Sequence, residues 1–326
     1  MENIILTATP TGIFTFTLIL GAVFVNGMTD ACNSISGIVS SGIWSLKKSA
    51  LVCGIFNLIG ILIFSTVSGR VTKGVADLSD FGENAPEAIC ACLTGTILFS
   101  LICYCFSLPS SESHALLSCI GGATAALSGG AFTVYVILTV ISHMIFSCIV
   151  ALALAFLFIK ILKKRRWECA KTEAFACIFS STMHGAQDGQ KFIAMIMLLY
   201  IGSGNYTVSR IPLSLSVCVG LIMMAGTLCG GKRIVETLGK KIVKTDKNIA
   251  TSSDISASIS ILICSLLGYS VSTGNIKACS SVGAGLGNGS EINGITVRRL
   301  IAVSLITFPV CIAFGYFFTE LFILIF

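Results

Sequence analysis

The chain alternates long apolar runs with short polar clusters. Stretches without a single charge cover 49–69, 115–142, 192–209, 211–231, 255–276 and 300–319. Each approaches or exceeds the roughly 18–20 residues that a helix needs to cross a bilayer. Laid between the polar loops, the pattern predicts ten helical segments. They fall at 11–43, 49–68, 89–107, 108–128 and 131–159, then at 172–200, 212–230, 251–268, 270–288 and 299–325. The expected class is an all-α polytopic integral membrane protein seated in the lipid bilayer.

Composition agrees and excludes the soluble classes. Of 326 residues 55% are hydrophobic and 11% charged, where soluble proteins carry about 25% charged residues. Residues 1–10 carry no basic n-region, so the following apolar stretch reads as a retained first span rather than a cleaved signal. The 15 cysteines are scattered through apolar runs with no CxxC pair, which reads as small hydrophobic filler. The net charge of +6 collects in a few loops and calls for no nucleic-acid partner; it fits cytoplasmic loops of a membrane protein.

Two polar clusters interrupt the apolar pattern in the same way. The first is Asn26-Gly27-Met28-Thr29-Asp30-Ala31-Cys32-Asn33, the second His184-Gly185-Ala186-Gln187-Asp188-Gly189-Gln190-Lys191. One offset aligns Gly27 with Gly185 and Asp30 with Asp188. A carboxylate in hydrocarbon costs roughly 2.5–3.5 kcal/mol on insertion scales and is rarely there without a partner or a task. Paired acids at equivalent places in two halves point to a duplicated transporter with a central site.

The repeat continues downstream. Residues 108–114 fall opposite 269–275, and small residues follow both copies at 119–123 and 280–284. The equivalent loops differ in charge. Residues 69–87 hold two basic and four acidic side chains, whereas 230–248 hold six basic and two acidic. Because Lys and Arg favour the cytoplasmic side, the second loop is expected inside and the first outside. Lys47-Lys48, 160–171 and Arg298-Arg299 then fall inside, while 128–130 and 202–210 fall outside. Five segments per half make the second half inverted and put both termini outside a plasma-membrane protein. The expected organisation is a first repeat at 1–159, a basic cytoplasmic linker at 160–171 and a second repeat at 172–326. The Ser- and Gly-rich segments fit re-entrant hairpins.

The ionisable residues within the apolar pattern are Asp30, Glu112, His114, His184, Asp188, Lys191 and Lys277, with His143 apart. Asn26, Thr29, Asn33, Gln187, Gln190, Ser110, Ser111, Ser272 and Thr273 surround them. Gly27, Gly185 and Gly189 are expected to break the helices beside the acids; open backbone at that depth survives only where it lines a cavity or is buried in protein. Carboxylate, amide and hydroxyl oxygens suit a small hard cation. Helix N-termini with Ser and Thr hydroxyls suit an oxyanion, and Pro109-Ser110-Ser111 and Val271-Ser272-Thr273 have helix-starting residue types. Lys191 and Lys277 are placed to offset an anion's charge. The plainer readings are hydroxyls bonded to their own helix, an Asp188–Lys191 salt bridge at i,i+3, and a packing role for His143.

These motifs resemble the PiT family of inorganic phosphate transporters over nearly the whole chain. The family signature NGxNDxxNA corresponds to 26–34, its second form HGxNDxQK to 184–191, and the motifs LPxSSTHA and LPVSTTxxK to 108–115 and 269–277; the segment 226–239 is also similar. The resemblance implies inverted repeats with broken helices, two re-entrant hairpins and a midplane phosphate site. It implies symport with Na⁺ or H⁺ and allows a homodimer. Ser110, Ser111, Ser272, Thr273, Asp30, Asp188 and Gln190 would meet phosphate. Asn26, Thr29, Asp30, Asn33, Gln187 and Asp188 would hold the coupling ion, with Na⁺ at Asp30 and Asp188. Glu112, His114, His184, Lys191 and Lys277 would supply supporting charge. The signature Asn before each acid is Thr29 in one copy and Gln187 in the other, and Gly274 stands where a second Thr is common.

The expected function is a cation-coupled phosphate symporter without a bound cofactor. A sulfate permease of the same fold is the alternative. A membrane-embedded hydrolase lacks its motifs, neither G-x-S-x-G nor H-E-x-x-H being present. An anion channel would call for basic rings rather than paired acids.

Overall fold

The computed structural model describes residues 10–326 other than 80, 109, 166–169, 203–211, 231, 233, 234 and 236. The expectations for residues 1–9, for Pro109, for most of 202–210, for the middle of the 160–171 linker and for part of 226–239 fall outside the described residues.

All ten predicted segments are helical. The first is α1 (Pro10–Thr29), a 3₁₀ turn (Ala31–Ile35) and α2 (Ser36–Ser40). Then come α3 (Leu46–Val67), the short α4 (Arg70–Asp77), α5 (Ala85–Cys105), α6 (Glu112–Ser128) and α7 (Gly130–Arg165). The second half holds α8 (Ala170–Gly202), α9 (Leu213–Cys229), α10 (Lys247–Leu267), α11 (Thr273–Asn288) and α12 (Gly294–Ile325). Extended pairing among the described residues amounts to a single antiparallel bridge, Val243 to Ile292. Six segments are long and apolar enough to cross a bilayer on length and composition: Pro10–Ser40, Leu46–Val67, Ala85–Cys105, Phe132–Lys164, Lys247–Leu267 and Gly294–Ile325. Of the remaining four, α6, α9 and α11 are short, and α8 is long but rich in polar residues.

Most first-half packing pairs have a second-half counterpart. α1 packs on α9 as α8 packs on α3; α7 packs on α11 as α12 packs on α6; α5 meets α12 as α10 meets α7. This exchange of partners is an approximate twofold. With an odd number of segments in each repeat, the axis lies in the membrane plane and the halves are inverted. Leu138, Ile149, Phe317 and Leu324 are more than half exposed on the outer helices, as a lipid-facing perimeter requires.

The glycine reading needs correction. Gly27, Gly185 and Gly189 all lie inside continuous helix, and α8 runs unbroken through Asp188. These glycines let helices touch instead. A Cβ on Gly27 would sit 2.2 Å from the Met223 carbonyl oxygen of α9, and one on Gly185 2.1 Å from the Asn57 carbonyl oxygen of α3. Small residues at such crossings let membrane helices pack by backbone contact. The break falls three residues after Gly27, in the first half alone.

Candidate functional site

Local hydrogen bonding explains where α1 stops. Thr29 donates to the Val25 carbonyl oxygen at 2.9 Å, Ser34 to Ala31 at 2.7 Å and Ser36 to Asn33 at 2.9 Å. A run of short polar side chains bonded to its own backbone competes with the α-helical ladder. The chain therefore turns at Asp30 and resumes as α2, leaving Asp30 buried at the junction.

Each of the two Ser-rich segments starts a helix. Ser111 caps α6 by accepting from the His114 N–H at 3.1 Å, and Ser272 caps α11 by accepting from Asn275 at 3.2 Å. Both helix starts are buried, along with Thr273. The tips approach each other at the α1–α2 break: a Cβ on Gly274 would lie 3.0 Å from Asn33 Nδ2 and 3.7 Å from the Ser110 carbonyl oxygen. Glycine in place of a second threonine thus leaves room for Asn33.

Asp188 is fully partnered. Its Oδ1 accepts from Lys191 Nζ at 2.7 Å; its Oδ2 accepts from Asn26 Nδ2 at 3.2 Å and lies 3.2 Å from His184 Nε2. His184 Nδ1 in turn lies 3.3 Å from Asn57 Oδ1. Lys191 also donates to the Ser113 hydroxyl and, at 2.7 Å, to the Val271 carbonyl oxygen. Lys191 therefore ties Asp188 to both tips, which is the salt-bridge reading extended to a four-element knot.

Asp30 is different. Asn33 Nδ2 donates to its Oδ1 at 3.3 Å, and Oδ2 receives nothing. Glu112 Oε2 accepts from Thr29 at 3.4 Å, and its Oε1 is also bare. Asn26 Oδ1, Asn33 Oδ1, Gln190 Oε1, Thr273 Oγ1 and His114 Nε2 are buried without partners. Buried polar groups are ordinarily satisfied. Oxygens of this kind are the hard donors a Na⁺-like cation takes, so the residues fit such an ion.

Not every expected residue joins this cluster. Gln187 is spent elsewhere: its Nε2 donates to the Tyr269 carbonyl oxygen at 2.8 Å and its Oε1 accepts from Ser265 at 2.6 Å. One residue before Asp188 on an unbroken helix, it points to a different face. Gln190 donates back to Ala186 at 2.7 Å. Lys277 pairs with Asp254 of α10 and is not a free charge for an anion. His114 packs on Phe308 and lies 3.4 Å from Asn275 Nδ2. His143 stacks on Tyr269 at 4.0 Å, as a packing residue does.

Sequence reasoning missed Glu173 and Asp254, both fully buried. Both fall near the start of predicted helical segments, 172–200 and 251–268, but outside the charge-free runs and outside the repeated motifs. The available signal was the small-polar run Thr251-Ser252-Ser253-Asp254 and its continuation Ser256, Ser258 and Ser260.

Comparisons with known proteins agree on kind. A family profile described as "Phosphate transporter family" matches twice, over residues 26–174 and 169–315. A "probable low-affinity inorganic phosphate transporter" of Bacillus subtilis (strain 168) is 28% identical over 304 residues, covering 90% of this chain and 91% of the relative. A relative of the same description from Mycobacterium leprae (strain TN) is 29% identical over 308 residues, covering 90% of this chain and 73% of the relative. A solved structure titled "The sodium-dependent phosphate transporter" superposes with a TM-score of 0.81 at 15% identity, over 98% of this chain and 100% of that one.

Proposed function

Because the chain belongs to the phosphate transporter family, we propose that it carries inorganic phosphate together with Na⁺ or H⁺ by alternating access between its two halves. The observation that carries this reading is the meeting of two capped helix N-termini with the bare carboxylate oxygens of Asp30 and Glu112. The N–H groups at the starts of α6 and α11, with the hydroxyls of Ser110, Ser111, Ser272 and Thr273, suit phosphate oxygens. Lys191 offsets one of three acids, Asp30, Glu112 and Asp188. A phosphate dianion entering beside the remaining carboxylates needs positive charge with it, which is a physical basis for coupling.

The cation takes Asp30, Asn26, Asn33 and Glu112 as ligands, or Glu112 takes a proton. The sodium dependence named for the structural neighbour favours Na⁺. Sulfate finds no support among the relatives, which are named for phosphate. The doubled family match, meeting at 169–174, supports repeats at 1–159 and 172–326 joined by a linker, and the basic loops support termini on the outside.

The test is labelled phosphate uptake into proteoliposomes under an inward Na⁺ gradient, an H⁺ gradient or none. Uptake should follow one gradient, vanish in Asp30→Asn and resist excess sulfate. Uptake that ignores both gradients, or survives Asp30→Asn unchanged, would end this reading.

A further inference from the structure

A second charged cluster lies outside the transport centre. Glu173 of α8, Asp254 of α10 and Lys277 of α11 are buried, the first two completely. Lys277 Nζ bonds Asp254 Oδ1. Asp254 Oδ2 and both oxygens of Glu173 receive no hydrogen bond. The two carboxyl groups converge on α2: a Cβ on Gly37 would lie 2.4 Å from Asp254 Oδ2 and 3.1 Å from Glu173 Oε1.

We propose that Glu173, Asp254 and Lys277 form a proton-binding site in which one proton is held between the two carboxyl groups. Two carboxylates against one ammonium leave one surplus negative charge away from water, and a buried charge persists only when paired. One proton removes that surplus. On Glu173 it donates to Asp254 Oδ2, so Lys277 and Glu173 between them serve both Asp254 oxygens. A metal cation fits less well. It wants several oxygen ligands, whereas the serine hydroxyls beside Lys277 are committed. Ser253 bonds Ser280 and Ser281 at 3.0 Å, and both of those donate to the Lys277 carbonyl oxygen at 2.9 Å. The Lys277 ammonium also repels a second cation.

The groups facing Glu173 are Asp254 and the Thr251 hydroxyl from α10 and Lys277 from α11. Cys177 on its own helix lies near both acids and meets Cys53 of α3. The adjoining residue of α2 is Gly37, which titrates nothing.

The cluster belongs to one half only. By the offsets that relate the repeats, Glu173, Asp254 and Lys277 correspond to Thr15, Leu93 and Leu116. Thr15 lies 2.9 Å from Cys90, the counterpart of Thr251, so the two places are equivalent in space as well. The first half fills its copy with hydroxyl, thiol and leucine. The charges are therefore not required by the fold. Because the carboxyls meet at α2, just past the Asp30 junction, binding or losing the proton alters how α2 seats on α8 and α10. This holds whichever cation drives uptake.

The experiment is infrared spectroscopy of the purified full-length protein in lipid near neutral pH, in H₂O and D₂O, reading the carboxylic C=O stretch. Wild-type protein should show a deuterium-sensitive carboxylic band that Glu173→Gln removes. Asp254→Asn, a second variant should Glu173→Gln fold poorly, should shift the same band. Glu173→Gln should retain phosphate uptake, since its amide copies a protonated acid. A spectrum unchanged in both folded variants overturns the proposal. So does an Na⁺-dependent rise in Tm that wild type shows and Glu173→Gln lacks, which would mean a metal ion instead. Asp30→Asn as a control should lose uptake and keep the Glu173 band, which separates this site from the transport centre.

Discussion

Lys191 offers the sharpest test of how the centre is held together. In Lys191→Met the ammonium disappears from a site where it meets Asp188 at 2.7 Å, the Val271 carbonyl oxygen at 2.7 Å and the Ser113 hydroxyl. Asp188 is left as a buried charge with Asn26 and His184 beside it. Breaking a buried pair from one side typically costs about 3–5 kcal/mol. Asp188→Asn strands the lysine instead and should cost a similar amount. The double variant strands neither charge, so its loss should fall short of the sum by about 2 kcal/mol, within the range of coupling seen for residues in contact. Unfolding in mixed detergent micelles, followed by far-UV circular dichroism, measures all three. Strict additivity of the two single losses would refute the argument that the pair exists to neutralise charge.

Other outcomes follow from the same geometry. Gly185→Val would drive its side chain into the α3 backbone at Asn57; overpacking of this kind costs about 1–3 kcal/mol, and uptake should drop with the yield of folded protein on size-exclusion chromatography. Ser272→Ala removes the α11 cap and should lose about 1 kcal/mol while raising the phosphate KM in uptake assays; an unchanged KM would remove Ser272 from the phosphate contacts. A tag appended after Phe326 should be cleaved by protease added to intact cells, as an outer C-terminus requires; protection until the cells are lysed would invert the topology.

Much of this was legible from the chain. The repeat motifs located both acids and both helix starts, because Asp in an apolar run and Ser before a small-residue helix are conspicuous against hydrocarbon. The break at Asp30 and the continuity at Asp188 were not separable by motif. Both clusters contain glycine, and glycine serves equally to open a helix or to let another approach it. Which role applies depends on what lies opposite, here the backbone at Met223 and Asn57. Gln187 was misplaced for a related reason: neighbours in sequence on an intact helix point about 100° apart, so Gln187 does not share the face of Asp188. Lys277 could not be assigned without Asp254, and Asp254 stood just outside a charge-free run and in no repeated motif, so nothing singled it out.

The crossed packing of the halves also bears on how the protein is made. α6 lays its small-residue face on α12, so closely that a Cβ on Gly122 would lie 2.1 Å from the Ile312 carbonyl oxygen. α12 leaves the ribosome after every helix of the first repeat. The helix that begins after Ser111 must therefore wait in the bilayer, its glycine face open to lipid or to a chaperone, until α12 has been made. Contacts between such distant parts of a chain form late and leave intermediates exposed. A truncation that removes α12 damages the first repeat, though every residue of that repeat remains.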